Sequence, residues 1–494
     1  MTETARRHPT GTPPSTTDAK AAALRTWMAS RRSLVVAYSG GVDSALVATF
    51  AHDVLGDSAV AVTAESESYP EQHRVMALDV ASAIGFRHEF IRTHELDRPE
   101  YRANPTNRCY YCKHELFGCL TRLARDRGID AVADGSNADD RGDYRPGREA
   151  AREFGVCSPL DELGFTKADI RAVAQARGIP TWAEPASACL SSRIPYFSDV
   201  TPEKLRTIEQ AERVLRDLAR QGHKLIFATS FGYLEPALRV GAEFPSVAFE
   251  QTGGYKTSAN VNTYNARYYE ARYLAGLLAG KTSKSGVAGY VAGFPVPEVI
   301  QGINAFTLGM RAVNPKASVK VVWLDTWFDP ARERDAANAL VNQGADILTN
   351  HSASSAVAQV AEERRVGLIA YQSDMRKFAP HAQLTAITHE WGGYYTRVAQ
   401  QVLDGTWHVA PVWGGMKDGF VRLAPFGDRV PKDVAAFVAQ RQAELIAGRL
   451  HPFGGRIVDS GGRVRQADGT MADARIESMD YLVEGVVGTL PARR

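Results

Sequence analysis

The sequence predicts an α/β protein built from more than one parallel-sheet domain, and three observations support that prediction. Short apolar runs alternate with segments of helical period along most of the chain, as strands and helices do in parallel sheets. The 494 residues exceed what one hydrophobic core usually organises. All five cysteines lie within the first 189 residues, which indicates that two unlike parts are joined.

The alternation is clear in both parts of the chain. In the first part, strands are predicted at 33–38, 59–64, 88–91 and 131–133. Helices are predicted between and after them at 45–54, 70–84, 110–127 and 201–220. In the second part, strands are predicted at 225–228, 247–250, 287–291, 319–324, 347–349 and 367–371. The helices that accompany them are predicted at 264–278, 297–309, 330–342 and 353–363.

The composition excludes several classes of protein. Hydrophobic residues make up 44% and charged residues 23% of the chain, as in soluble globular proteins. Lys and Arg number 58 against 56 Asp and Glu, which argues against a nucleic-acid or membrane-surface binder. No apolar run is long enough to span a bilayer. Residues 1–22 are expected to be a disordered tail without a signal peptide, and the protein is expected to be cytoplasmic. A homo-oligomer is compatible with the sequence.

A glycine-rich string, SGGVDS, lies at 39–44 between a predicted strand and a predicted helix. Gly40 and Gly41 let backbone N–H groups approach an anion, and the helix N-terminus adds partial positive charge. The hydroxyls of Ser39 and Ser44 can donate to phosphate oxygens, and Asp43 can help to hold Mg²⁺. The alternative is a strand–helix turn without a ligand, but the complete string favours ATP.

SGGVDS resembles the loop of the PP-loop ATP pyrophosphatases, which adenylate a carbonyl or carboxylate and release pyrophosphate. No Gly-Lys-Ser/Thr follows, so the string is not a Walker P-loop. The resemblance therefore implies adenylyl transfer, with residues 63–66 near the adenine or ribose by analogy.

Three further strings narrow the resemblance: RCYYCK at 108–113, GSNADD with DYRPG at 135–147, and PASACLSSRIPY at 185–196. With SGGVDS they resemble the ATP-dependent sulfur transferases (LarE) that mature the nickel-pincer nucleotide cofactor of lactate racemase. The resemblance covers about residues 23–217 and implies a Rossmann-like PP-loop domain at 23–215. It departs at Phe197 and Ser198, and the family's C-terminal strands have no counterpart after Asp217.

The resemblance implies that ATP adenylates a carboxylate of a pyridinium dicarboxylate mononucleotide and that sulfur passes through Cys189. Some members of the family give up the sulfur of that cysteine. Others are of a three-cysteine type that holds a [4Fe–4S] cluster, and Cys109, Cys112 and Cys189 fit that type. Both routes stay open. Cys119 and Cys157 are expected to be structural.

Three arginines fall inside the motif strings: Arg108, Arg145 and Arg193. They are either solvated surface charges or ligands of an anion, and their positions favour anion binding. Arg193 is also the cation expected to lower the thiol pKa of Cys189. Arg145 and Arg193 are therefore predicted to contact the cofactor.

The second part contains another set of strings, ATSFGY at 228–233, TYNARYYE at 263–270, FPVPEVIQGIN at 294–304, DTWFDP at 325–330 and HPF at 451–453. They resemble the BMP-type (basic membrane protein) purine or nucleoside-binding proteins of ABC importers, from about residue 215 onward. The resemblance implies a periplasmic-binding-protein type I fold with two α/β lobes at 216–494. We expect its first β-α-β unit and an export signal to be absent, which leaves the strand at 225–228 with a bare edge.

A cleft of that kind holds a purine base or nucleoside by aromatic stacking and a few polar groups. Trp327 is the stacking candidate, and Asp374 is the candidate acceptor for purine N–H or ribose hydroxyl groups. Trp391 and Lys417 are further candidates. The alternative makes Trp327 and Trp391 core aromatics.

The sequence thus predicts an ATP-dependent sulfur transferase fused to a purine-binding module. The alternatives are a purine-binding protein with a vestigial PP-loop half, and an inactive fusion. The implied cofactors are ATP and Mg²⁺, with the cluster as an open question.

Overall fold

The computed structural model describes residues 16–142, 145–184 and 188–491. The chain divides into two compact units. The first comprises Met1–Gly222 with Glu235–Glu243, and the second comprises His223–Leu234 with Phe244–Arg493. The predicted boundary at 215/216 falls inside the helix Pro202–Arg220, so the structure places the division just after that helix ends.

The first unit contains one parallel sheet. Its strands are β1 (Leu34–Ala37), β2 (Ala59–Glu65), β3 (His88–Arg92) and β4 (Ala131–Ala133), in the order β3-β2-β1-β4. Its helices are α1 (Thr17–Ala29), α2 (Val42–Leu55), α3 (Glu71–Ile84), α4 (Pro99–Arg102), α5 (Arg108–Asp126), α6 (Gly147–Glu153), α7 (Pro159–Glu162), α8 (Lys167–Ala176), α9 (Pro202–Arg220) and α10 (Leu234–Glu243). β1 is buried along its whole length, as its apolar run predicted.

The predicted disordered tail at 1–22 is wrong for its last six residues, because α1 begins at Thr17. The ammonium group of Lys20 lies 2.6 Å from the carboxylate of Asp169, and Leu24 is fully buried. An ion pair and an apolar contact therefore hold this segment against the unit. Residues 1–15 of the predicted tail lie outside the described residues.

Among the described residues, the second unit contains a seven-stranded sheet and a four-stranded sheet, in agreement with the two lobes of the predicted fold, and a two-stranded sheet. Its strands are β5 (Leu225–Ala228), β6 (Ala248–Thr252), β7 (Val261–Ala266), β8 (Val287–Ala292), β9 (Ser318–Trp323), β10 (Ile347–His351), β11 (Gly367–Gln372), β12 (Gln383–His389), β13 (Val412–Gly414), β14 (Val421–Leu423), β15 (Ile457–Val458), β16 (Val464–Gln466) and β17 (Val486–Val487). Its helices are α11 (Tyr268–Thr282), α12 (Pro297–Val313), α13 (Pro330–Asn342), α14 (Ala356–Arg364), α15 (Gly392–Leu403), α16 (Lys432–Ile446) and α17 (Asp473–Glu477).

One sheet has the order β14-β12-β11-β10-β8-β9-β17, and the other has the order β13-β7-β6-β5. β5 is an edge strand of the four-stranded sheet of this unit, as predicted for the strand at 225–228. The helix predicted at 264–278 is wrong at its start, because β7 continues to Ala266 and α11 begins at Tyr268. No helix in the described ranges is both long and apolar enough to cross a membrane.

Candidate functional site

The turn from β1 to α2 is shaped to receive an anion. Gly40 has a φ of +85°, a conformation that glycine adopts without strain, and Gly41 is the N-cap of α2. No side chain caps this helix end, so the first amides of α2 are left without a side-chain acceptor. Such amides and the helix dipole favour a bound phosphate.

The two serines of this turn bond to each other. Their hydroxyl oxygens are 3.2 Å apart, and the backbone N–H of Ser39 donates to Ser44 Oγ at 3.1 Å. The Ser44 hydroxyl also donates to the carbonyl of Gly41 at 3.1 Å. Ser39 is exposed and Ser44 is buried, so a bound phosphate would exchange for these local bonds from the side of Ser39.

Asp43 projects from the first turn of α2 and is paired with Lys167. The lysine Nζ lies 2.7 Å and 2.6 Å from the two carboxylate oxygens. Burial raises the pKa of Asp43, and the hydrogen bond from Lys167 opposes that rise. Sequence reasoning missed Lys167. The Thr166–Asp169 capping box marks the start of α8, but nothing in that local pattern reveals a partner 124 residues away.

The loop after β4 packs against the phosphate turn. A Cβ at Gly135 would lie 2.8 Å from the backbone nitrogen of Ser44, so only glycine permits this approach. Asp139, in the same loop, accepts the backbone N–H of Lys167 at 2.7 Å. The GSNADD string therefore orients both the turn and the lysine that faces it.

A cavity of about 340 Å³ opens beyond the carboxyl ends of β2 and β3. It is lined by Glu65, Ser66, Glu67, Tyr69, Glu71, Arg74 and Arg92. The carboxyl ends of parallel strands are where α/β sheets bind ligands. The predicted adenine and ribose contacts at 63–66 overlap this lining.

The Cys189 turn is held beside the same cavity. The backbone N–H of Leu190 donates to the carbonyl of Ser68 at 2.9 Å, within the loop that follows β2. The hydroxyls of Tyr101 and Ser191 are 2.7 Å apart. Arg108, which was considered as an anion ligand, is buried and donates to the carbonyl of Ser191 at 2.8 Å. Arg108 therefore stabilises the Cys189 turn from its buried side.

The predicted cluster ligands are neighbours. Burial raises the pKa of the Cys112 thiol well above its ordinary value, with Glu95 and then Cys189 acting in the same direction, and Cys109 adds a smaller effect. Cys109 is exposed. Within the described residues, however, no group of three or more His, Cys, Asp or Glu side chains is arranged to hold a metal ion.

The two predicted phosphate-binding arginines have protein partners. Arg193 lies 2.8 Å from Glu212 and donates to the carbonyl of Cys189 at 2.5 Å. Arg145 lies 3.2 Å from Asp140 and is more than half exposed. Either arginine would have to exchange or share a partner to contact a nucleotide. Asp143, Tyr144 and residues 185–187 of the motif strings lie outside the described residues.

In the second unit, Trp327 lies at the carboxyl edge of the larger sheet. A Cβ at Gly293 would lie 2.6 Å from the indole ring, so the glycine makes room for it. The ring centroid of Trp327 is 5.0 Å from that of Phe294 and 6.0 Å from that of His351. The side chain is 37% exposed, which leaves area for a planar ligand.

Polar groups accompany this aromatic surface. His351 is only 5% exposed, and its Nδ1 has no hydrogen-bond partner among the described residues. Its Nε2 is 3.6 Å from Glu298, which accepts a hydrogen bond from Asn265 at 3.1 Å. An unpaired nitrogen in a buried position is costly unless a ligand or water satisfies it.

The other predicted ligand contacts have different surroundings. Asp374 accepts a hydrogen bond from Gln383 at 2.8 Å and one from the backbone of Arg376 at 3.0 Å. Trp391 is stacked with Tyr395 at 6.3 Å, within an aromatic cluster. Lys417 is exposed. These three assignments stay predictions, and Trp391 also fits the alternative of a core aromatic.

The two parts of the chain match different families of known proteins. A family described as ABC transporter substrate-binding protein PnrA-like (Bmp) matches residues 187–448, and a family described as NAD synthase matches residues 22–102. A purine-binding protein of Brucella abortus is 49% identical over 282 residues, which are 57% of this chain and 80% of that protein.

Two relatives match the first part. A pyridinium-3,5-bisthiocarboxylic acid mononucleotide synthase of Lactiplantibacillus plantarum is 35% identical over 210 residues, which are 42% of this chain and 76% of that protein. An uncharacterized protein of Synechocystis is 48% identical over 195 residues, which are 40% of this chain and 73% of that protein.

The fold and the phosphate turn define a PP-loop nucleotide-binding protein joined to a two-lobed α/β binding protein. The chain belongs to the Bmp family of PnrA-like ABC transporter substrate-binding proteins through its second part, and to the LarE family of PP-loop sulfur transferases through its first part.

Proposed function

We propose that the first unit is an ATP-dependent sulfur transferase acting on a pyridinium dicarboxylate mononucleotide. One observation carries the proposal: the Cys189 turn is bonded to the loop after β2, which lines the cavity and whose Tyr69 hydroxyl donates to the Ser39 carbonyl of the phosphate turn at 3.1 Å. A thiol and a nucleotide site so placed suit adenylation followed by sulfur transfer. Because this chemistry draws on ATP, we also propose a cytoplasmic location.

The amides after Gly40 hold the β- and γ-phosphates of ATP while a substrate carboxylate oxygen attacks the α-phosphorus. Pyrophosphate leaves, and the acyl adenylate forms. The Cys189 thiolate then attacks the acyl carbon and AMP leaves, which gives a thioester on the protein. Breaking the cysteine Cβ–Sγ bond by loss of the α-proton releases the thiocarboxylate and leaves dehydroalanine.

Mg²⁺ would neutralise the leaving pyrophosphate, and Asp43 is the carboxylate that would hold it. Lys167 occupies that carboxylate in the structure, so the metal would have to share or displace the lysine. In the described part of the chain, no three His, Cys, Asp or Glu side chains are arranged to hold an iron–sulfur cluster. In the proposed route Cys189 donates the sulfur, and transfer through a cluster is the alternative route.

Mass spectrometry of the full chain tests this route. After turnover with ATP and the dicarboxylate mononucleotide, we expect a thiocarboxylate product and a protein mass lower by one hydrogen sulfide, located at Cys189. A thiolated product with unchanged Cys189 would point instead to an external sulfur source. A sample that is brown and contains iron when purified without oxygen would support the cluster.

For the second unit we propose purine binding, and the unpaired His351 Nδ1 beside Trp327 is the observation that favours it. The relative from Brucella is named for purine binding, which supports the same ligand class. Titration calorimetry with adenine, guanine, hypoxanthine and their nucleosides tests the proposal, and the absence of heat with every one of them would refute it.

A further inference from the structure

The backbone carbonyl oxygen of Cys189 accepts three hydrogen bonds from the residues that follow it. The hydroxyl of Ser192 donates to this oxygen at 2.7 Å, and the backbone N–H of the same serine donates at 3.0 Å. Nη1 of Arg193 donates to it at 2.5 Å. Three donors, one of them cationic, therefore surround an oxygen that has only two lone pairs.

Arg193 is fixed at this oxygen by its other contacts. Its Nη1 also lies 2.5 Å from the carbonyl oxygen of Ala188 and 3.1 Å from the hydroxyl of Ser192. Its Nε donates to Glu212 at 2.8 Å, and the side chains of this ion pair are only 5% and 3% exposed. Because the guanidinium is buried, water screens its charge weakly, and its effect on the carbonyl oxygen is correspondingly strong.

The same oxygen is where negative charge develops when Cys189 gives up its sulfur in the proposed route. Hydroxide from the solvent removes the Cα proton of the Cys189 thioester and becomes water. The electron pair of the Cα–H bond forms a double bond to the carbonyl carbon, and the carbonyl π pair moves to the oxygen, which gives an enolate. The carbonyl then re-forms, a Cα–Cβ double bond forms, and the Cβ–Sγ bond breaks with its electron pair on the departing thiocarboxylate.

We propose that Arg193 and Ser192 form an oxyanion hole for this enolate, so that the Cys189 turn promotes the elimination that frees the sulfur. The inference rests on the proposed function, in which Cys189 donates its own sulfur. Donors that are already aimed at a developing oxyanion stabilise the transition state without reorganising, and charge-assisted donors do so most strongly. This role of Arg193 is distinct from contact with the nucleotide.

A chemical elimination that needs neither ATP nor substrate tests the oxyanion hole directly. An α,α′-dibromo diamide alkylates a cysteine twice and converts its sulfur into a cyclic sulfonium, which mild base eliminates to leave dehydroalanine. Mass spectrometry of peptides from the full chain follows the sulfonium and dehydroalanine forms of Cys189 separately, so the rate of elimination is measured apart from that of alkylation. The exposed Cys109 in the same sample is the internal reference.

Arg193→Gln is expected to slow elimination at Cys189 about a hundredfold or more, which is the usual cost of removing an oxyanion donor. Ser192→Ala should slow it by a smaller factor, because it removes a neutral donor. Arg193→Lys and Ser192→Thr should each retain part of the rate, since each keeps a donor group. Elimination at Cys109 should be the same in all variants, and Arg213→Gln, whose arginine is exposed on α9, is the control.

Two of the variants keep the test valid if Arg193→Gln fails to fold, because that change removes one cation from the buried Glu212. Arg193→Gln combined with Glu212→Gln removes both charges of the ion pair, while Arg216 keeps its ion pair with Glu243 at 2.6 Å. Ser192 is exposed, so Ser192→Ala leaves the core unchanged. Slower elimination at Cys189 in these two folded variants supports the inference.

Turnover with ATP and the dicarboxylate mononucleotide adds a readout that a purely structural role would not change. We expect Arg193→Gln to lose less in the exchange of pyrophosphate into ATP than in the release of thiolated product. The protein thioester should therefore accumulate, visible as added mass on Cys189. Equal losses of exchange, thioester and product would mean that Arg193 only stabilises the turn, and the inference would be overturned.

Two further results would overturn the inference: equal elimination rates at Cys189 in the wild type and every variant, or a thiolated product formed while Cys189 keeps its sulfur. Failure of the proposed function gives a different pattern. A wild-type chain that cleaves no ATP, but whose Cys189 sulfonium is eliminated at a rate that depends on Arg193, would refute the sulfur transferase and leave the oxyanion hole in place.

Discussion

The ammonium group of Lys167 lies 2.6 Å from one carboxylate oxygen of Asp43 and 2.7 Å from the other. This pair joins the first turn of α2 to the first residue of α8, directly beside the amides of the phosphate turn. A lysine so placed can turn from the carboxylate to a phosphate oxygen when a nucleotide binds. We expect the carboxylate then to be free to hold a cation.

Asp43→Ala is expected to abolish ATP-dependent pyrophosphate release, because it removes the candidate Mg²⁺ ligand and leaves Lys167 unpaired. Lys167→Gln should lower the rate by roughly a hundredfold, since it removes the positive charge that would stabilise the leaving pyrophosphate. Asp57→Ala changes an exposed carboxylate just after α2 and serves as the control. Release at the wild-type rate in Asp43→Ala would count against the site.

Cys189→Ala should still form the acyl adenylate but should make no thiolated product, because the variant has no thiolate at this position to attack the acyl carbon. Exchange of labelled pyrophosphate into ATP measures the first step, and mass spectrometry measures the second. Cys119→Ala is the matched control, since Cys119 lies on α5 next to Glu115. Normal amounts of thiolated product from Cys189→Ala would exclude the proposed role.

The sequence predicted the alternation of strands and helices well wherever apolar runs were short and bounded by glycine. The strand β4 and the helix α13 have the predicted limits. The strand β7 (Val261–Ala266) was not predicted, and its last three residues were assigned to a helix, because its polar residues Thr263 and Asn265 hide the pattern of a buried strand. The helix α1 was not predicted, and residues 17–22 were assigned to the disordered tail, because Lys20 is held by Asp169, a partner far along the chain.

The candidate site, too, could be predicted from the sequence only in part. The glycine turn was predictable, since backbone conformation is encoded locally by Gly40 and Gly41. The partners of charged side chains were not, because ion pairs such as Lys167 with Asp43 form only in the folded chain. Likewise, the pairing of Arg193 with Glu212 was not predicted, and the contact of Arg193 with a cofactor stays a prediction.

Trp327→Ala is expected to weaken purine binding by the second unit about tenfold or more, because stacking on an aromatic ring contributes about 1–3 kcal/mol per base. Gly293→Ala should act in the same direction, since its Cβ would lie 2.6 Å from the indole ring and displace it. Trp182→Ala is the control, because Trp182 is equally exposed at 37% but belongs to the first unit. Calorimetry that shows unchanged affinity in Trp327→Ala would remove the stacking role.

The stability of the second unit should fall in acid through His389. Burial, followed by Arg272, lowers the pKa of this histidine from 6.5 to about 4, and its Nε2 has no partner among the described residues. Between these two values the unfolded chain binds more protons than the folded chain, so stability is lost as the pH falls from about 6.5 towards 4.

His389→Phe removes this titration while keeping an aromatic ring of similar size. Thermal unfolding at pH 7.5 and pH 5 should therefore show a smaller loss of stability in the variant, by on the order of 1 kcal/mol. His408→Gln, at an exposed position, should behave as the wild type does. An identical pH dependence in His389→Phe and the wild type would show that His389 is not the group responsible.

Adenylation by the first unit is the central proposal, and the products formed from ATP test it directly. The full chain is incubated with Mg²⁺, ATP and pyridinium-3,5-dicarboxylate mononucleotide, and the nucleotide products are separated and quantified. We predict AMP and pyrophosphate in equal amounts, dependent on the mononucleotide and absent in Asp43→Ala. The formation of ADP and inorganic phosphate, or no cleavage of ATP at all, would contradict the account.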